Sequence, residues 1–178
     1  PQTLENLTIN SGGSLNISSG RVVTISSSGT LNNNSGAAQN LGNGTVFFAG
    51  AGSISGGQAF TMNHLHIDGA TTITTTPTIN GNLKLGASGS ISTGSINYGS
   101  SSTLVYDGGT RNTGNEWTGN AASAGVGVPG GLTIQNTTAL SLPTSNRGIA
   151  GNLNINSGSL NLNTSSGDLY LTGNFNRV

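Results

Sequence analysis

Aliphatic residues fall at fixed intervals along this chain. Near the amino end Leu7, Leu15, Val23 and Leu31 recur at a step of eight, and Ile9, Ile17 and Ile25 follow the same step two positions later. Each pair brackets one polar residue, as Leu7-Thr8-Ile9, Leu15-Asn16-Ile17 and Val23-Thr24-Ile25. Alternation with period two sends the aliphatics to one side of an extended strand and the Thr or Asn to the other. Between the triplets stand SGG, SSG and SSSG, residues that accept positive φ or bend the chain through local side-chain hydrogen bonds. The triplet returns as Leu65-His66-Ile67, Leu83-Lys84-Leu85, Leu104-Val105-Tyr106, Leu132-Thr133-Ile134, Leu140-Ser141-Leu142, Leu153-Asn154-Ile155, Leu160-Asn161-Leu162 and Leu169-Tyr170-Leu171. Very short strands separated by bends at a constant interval predict a coil of backbone rather than a meander of hairpins.

A longer phrase contains the triplets. ENLTINSGGSLNI (5–17), GNLKLGASGSI (81–91) and GNLNINSGSLNL (151–162) share one wording, and TGNFNRV begins it again. Equivalent strand starts lie 21 residues apart from Leu83 to Leu104 and from Leu132 to Leu153, and 22 apart from Leu153 to Phe175. One winding of that length cannot bury its own aliphatics or satisfy its own backbone, whereas stacking a second winding on it does both. The prediction is an all-β fold, a right-handed parallel β-helix built as a three-sided solenoid of about eight coils of roughly 21–24 residues. At about 4.8 Å per coil the rod is about 40 Å long. Aligned Asn, Ser and Thr are expected to form hydrogen-bonded ladders between coils. An antiparallel sandwich is the rival all-β fold, and the repeat at coil length argues against it.

The pattern is read as one domain, 1–178. Leu4-Glu5-Asn6-Leu7 starts inside the phrase and Gly173-Asn174-Phe175 stops inside it, and neither reads as the polar cap that closes a solenoid. The expectation is a segment of a longer solenoid, or ends that self-associate head to tail with neighbouring copies. No apolar run is long enough to cross a membrane, so membrane insertion is not expected.

Gly, Ser, Thr and Asn together make 101 of the 178 residues, against two Glu and one Lys, so the vocabulary of a helical bundle is missing. Five basic and five acidic residues cancel, which removes the excess positive charge a nucleic-acid binder needs. With no cysteine, disulfide frameworks and cysteine-ligated metals are out. Nothing in the sequence asks for a cofactor.

One stretch, about 107–131, loses the triplets and gathers Asp107, Arg111, Glu116 and the single tryptophan, Trp117. An aromatic beside polar groups on a loop suits sugar stacking, so these four are the candidate glycan-binding residues. The plainer reading is a packed loop whose Trp117 covers a solenoid flank and whose Arg111 pairs with Asp or Glu. His64, His66 and Asp68 alternate along one strand and all point outward, a spacing that could serve a metal but lacks a fourth ligand. A solvated face is the expectation there. Glycoside cleavage needs two carboxyl groups flanking one bond, and the five carboxylates Glu5, Asp68, Asp107, Glu116 and Asp168 supply no such cluster, so no catalysis is expected. Thr72, Thr74, Thr76 and Thr78 share a face if extended, but ice binding would need that array repeated over several coils.

The phrases NLTINSGGSLNISSG, YGSSSTLVYDGG, TGNEWTGN, LSLPTSNRGIAGNLNINSGSLNL and SGDLYLTGNF, spread from about 4 to 178, resemble the repeat regions of very large secreted Bacteroidota proteins, typically exported by the type IX secretion system. That resemblance implies a β-solenoid stalk of an extracellular, cell-surface or filament protein of the adhesin-like kind. The combined expectation is a non-catalytic extracellular structural module. A carbohydrate-binding module that meets extracellular glycans is the alternative, with a polysaccharide-degrading enzyme or an ice-binding protein behind it.

Overall fold

The computed structural model describes residues 2–136, 138–162 and 167–178. Among them lie 21 strands and no helix. Every pairing between these strands is parallel. Pairing joins each strand to its counterpart one winding later. Thus Thr45–Phe48, Gly52–Gly56 and Phe60–Met62 pair in turn with His64–Ile67, Ala70–Ile73 and Thr78–Ile79. The molecule is a parallel β-solenoid of about eight windings, as the repeat predicts.

One ladder runs the full length of the rod, and its inward side chains show why the triplets exist. Its register links Leu4, Ile25, Phe48, Ile67, Leu85, Tyr106, Ile134, Ile155 and Arg177 into one column. From Ile25 to Ile155 every member is buried. Beside it stand Val46, Leu65, Leu83, Leu104, Leu132 and Leu153 in a second buried column. Each full burial of such a side chain contributes about 1.5–3 kcal/mol, so the stacked columns carry the fold.

Two details differ from the expected pattern. Winding length varies: Leu65 pairs with Leu83, 18 residues on, whereas Leu104 pairs with Leu132, 28 residues on. Only strand residues must keep register, so the corners between them absorb the difference. The second concerns the SSSG bend, which interrupts no strand. Val22–Asn33 runs through it, pairing with Thr45–Phe48 by its first part and Gly52–Gly56 by its second. Ser28 turns the corner at φ 66°, and the neighbouring strand Gln2–Ile9 shifts register between Leu4 and Asn6 to match.

Close stacking explains particular glycines. Gly56 sits at φ +123°, and a β-carbon there would lie 2.3 Å from the Asn33 carbonyl oxygen of the winding below. At Gly151 a β-carbon would meet the Gly130 carbonyl oxygen at the same 2.3 Å. Side-chain ladders hold the outside. Ser53 donates to Thr30 at 3.1 Å, Asn97 to Thr78 at 3.0 Å and Asn176 to Asn154 at 2.8 Å. The threonine tract is not one extended face. It turns a corner between Ile73 and Thr78, and its hydroxyls bond along the axis, Thr72 with Ser92 and Thr76 with Ser95 at 3.1 Å each.

Candidate functional site

The irregular stretch is an insertion folded into the long winding between Leu104 and Leu132. Its first residues still belong to the ladders, with Thr103–Asp107 and Thr110–Asn112 as strands. The chain then turns inward. Trp117 is fully buried, and its indole N–H donates to the Gly148 carbonyl at 2.8 Å. An indole with no exposed face offers a sugar ring no platform, so the stacking expected of Trp117 is not presented here. Trp117 instead joins the core cluster.

Glu116 is buried beside it, and its environment explains the position. Tyr106 stands in an aliphatic column, where a phenol hydroxyl needs a partner. Its hydroxyl donates to Glu116 Oε1 at 2.8 Å, while the Tyr98 hydroxyl donates to the Glu116 carbonyl at 2.6 Å. The Gly114 N–H closes the group with a 2.7 Å bond to the same Oε1. Burial, and then the nearby Glu116 charge, push both phenols well above their ordinary pKa, so they remain donors. Arg147 is buried in the same region, with Nη1 donating to Ser145 Oγ at 2.9 Å and to the Asn146 carbonyl at 3.0 Å.

Asp107 and Arg111 lie apart from this buried group in their bonding. Asp107 forms an ion pair with Lys84 of the preceding winding and accepts a hydrogen bond from Asn136 of the next. Burial alone would raise its pKa, but the hydrogen bonds from Lys84 and Asn136 outweigh it and hold the carboxyl below its usual value. Arg111 does not pair with Asp or Glu as the plainer reading expects. Its guanidinium donates to the backbone carbonyls of Gly86, Ala87 and Gly89 and lies 5.7 Å from the centre of the Tyr106 ring. A planar fork of donors suits carbonyls gathered at a tight bend. Asp107 and Arg111 therefore pin the insertion to its neighbours, and Glu116 and Trp117 anchor it inside.

On the outer face, His66 stacks on Phe47 with ring centres 4.5 Å apart and lies 2.9 Å from Asp68. Burial lowers the His66 pKa, with Asp68 opposing the shift. His64 accepts the Asn82 backbone N–H at 3.1 Å instead of turning toward His66 and Asp68. Among the described residues no three of His, Cys, Asp or Glu come together in a way that could hold a metal ion.

Sequence reasoning missed Tyr98, Tyr106 and Arg147 as parts of the insertion's network. For Tyr106 a signal existed: it fills the inward end of the triplet Leu104-Val105-Tyr106, and a buried hydroxyl there demands an acceptor from elsewhere. No protein-family model matches the chain, and neither does any curated protein or solved structure.

Proposed function

We propose that this chain is a non-catalytic structural module, a stiff rod that serves as a stalk or spacer outside the cell. The observation that carries the reading is the unbroken inward column from Leu4 to Ile155, continuous across the insertion because Tyr106 still pairs with Ile134. A column of this kind resists bending and shear, since each winding is held to the next by backbone ladders as well as apolar contact. The outer surface supports the same role. It is neutral overall and rich in Asn, Ser and Thr, and many of these side chains bond along the axis. In the insertion, the groups that sequence reasoning marked for chemistry are spent on packing and anchoring.

The resemblance of its phrases to repeats of secreted Bacteroidota proteins supports placing the rod at a bacterial surface, in an adhesin-like protein. Two measurements test the proposal. Small-angle scattering of the monomer should give an elongated particle about 40 Å along its axis. Immunogold labelling of intact source cells should decorate the surface. Label confined to the cell interior would refute the stalk reading.

A further inference from the structure

Anchoring of the insertion uses only one oxygen of the Glu116 carboxylate, and the other points to a ligand. Glu116 is 2% exposed. Its Oε1 takes the bonds from the Tyr106 hydroxyl and the Gly114 N–H, while among the described residues Oε2 accepts none. A pocket of about 170 Å³ lies there, walled by the corner 87–90 of one winding and by Arg111, Asn112, Gly114 and Glu116 of the next. Gly114 stands on the Oε2 side, since a β-carbon there would come within 2.7 Å of that oxygen. Its φ lies outside the left-handed region, so glycine at 114 serves clearance rather than conformation. A buried carboxylate oxygen left without a donor costs free energy, and the open approach is where a donor can reach it.

The chemistry of the walls selects the occupant. A metal ion is disfavoured, because the carbonyls of Gly86, Ala87 and Gly89 that could complete its oxygen shell already accept from Arg111, whose fixed positive charge lines the same pocket. An anion would meet Glu116. A neutral hydroxyl fits, since it donates to one oxygen while accepting from another group. Ser88, Ser90 and Asn112 offer both roles to neighbouring hydroxyls on the same small ring. The volume is well below the roughly 300–1,000 Å³ of pockets for drug-sized ligands, so a single ring fills it. We propose that this pocket binds one neutral sugar residue, with a sugar hydroxyl donating to Glu116 Oε2. Trp117 and Asp107 take no part, and the site stands on the flank of the rod, independent of the stalk reading above.

Titration of the isotopically labelled chain with glucose, galactose, mannose and N-acetylglucosamine, followed by amide chemical shifts, tests it. At least one sugar should bind saturably at millimolar concentration, with shifts confined to 87–90 and 111–116. Glu116→Gln keeps an oxygen for Tyr106 and the Gly114 N–H but sets a donor where Oε2 stands, so affinity should fall about tenfold or more. Gly114→Ala fills the approach and should abolish binding with the carboxylate in place. Circular dichroism checks that each variant keeps the fold. If Glu116→Gln fails to fold, the shift map of the unmodified chain and Gly114→Ala still decide. No shifts with any sugar up to high millimolar concentration, shifts centred elsewhere, or unchanged affinity in the folded variants would each overturn the inference. A parallel titration with calcium chloride should leave 111–116 unmoved, and shifts there with calcium but with no sugar would overturn it as well.

Discussion

Tyr106 and Glu116 illustrate how a single polar atom in a core dictates what must surround it. A phenol in an apolar column leaves a hydroxyl that costs about 1–3 kcal/mol if unsatisfied. The insertion delivers Glu116 to accept that bond at 2.8 Å. On the outer face the titratable groups are set for a measurable pH response. His66 has a folded pKa below its ordinary 6.5, chiefly because of burial, so the unfolded chain takes up its proton first as pH falls. The His66 contribution to stability is therefore complete above about pH 6.5 and declines below it. Asp107, held below the ordinary 3.8, acts in a second window: its contribution is present above that value and is lost as pH falls through the lower folded pKa. Urea midpoints measured from pH 8 to pH 3 should fall in these two stages. His66→Phe should flatten the first stage and leave the second in place.

At the scale of the element, strand and insertion respond differently to truncation. Leu85 lies mid-column between Ile67 and Tyr106 and is fully buried. Leu85→Ala should cost about 2–5 kcal/mol and shift the unfolding of the whole rod, since the cavity opens in a column every winding shares. Trp117→Ala should cost about 3–5 kcal/mol, and its first effect should be release of the insertion, detectable as proteolysis within 107–131 before global unfolding. Native Trp117 fluorescence should resist acrylamide quenching for the same reason. The strands were legible because an inward side chain must recur at every winding, and Leu83, Leu104, Leu132 and Leu153 obey that rule openly. Trp117 was not legible in this way. Its anchor is the Gly148 carbonyl, 31 residues away, and nothing local to either residue announces the meeting. The variable winding length escaped for a related reason: corner residues carry no register, so an 18-residue turn and a 28-residue turn leave the same strand signal.

At the scale of the molecule, stability propagates along one dimension, because windings touch only their neighbours. A winding stacked on both faces gains from two interfaces, and one whose side chains are exposed gains less. Amide hydrogen exchange should therefore be slowest around Leu83–Tyr106 and fastest in Phe175–Arg177, whose side chains are all exposed. Uniform protection along the rod would mean that the windings unfold as a single block. The surface charge is sparse, five groups of each sign, so this gradient should change little with salt.

The long winding carries a consequence of its own. Backbone leaves the ladders after Asn112, packs Trp117 inside, and returns at Gly131 with Leu104 still opposite Leu132. Within it Ala121, Ala122 and Ser123 are exposed, and the Ala122 carbonyl accepts the Thr172 hydroxyl at 3.4 Å. Foreign peptide spliced between Ala122 and Ser123 would sit at a defined height on the shaft, presented sideways like a rung, while the stacked interior beneath it stayed whole. Evolution, or a protein engineer, can thus decorate such a molecule without redesigning it.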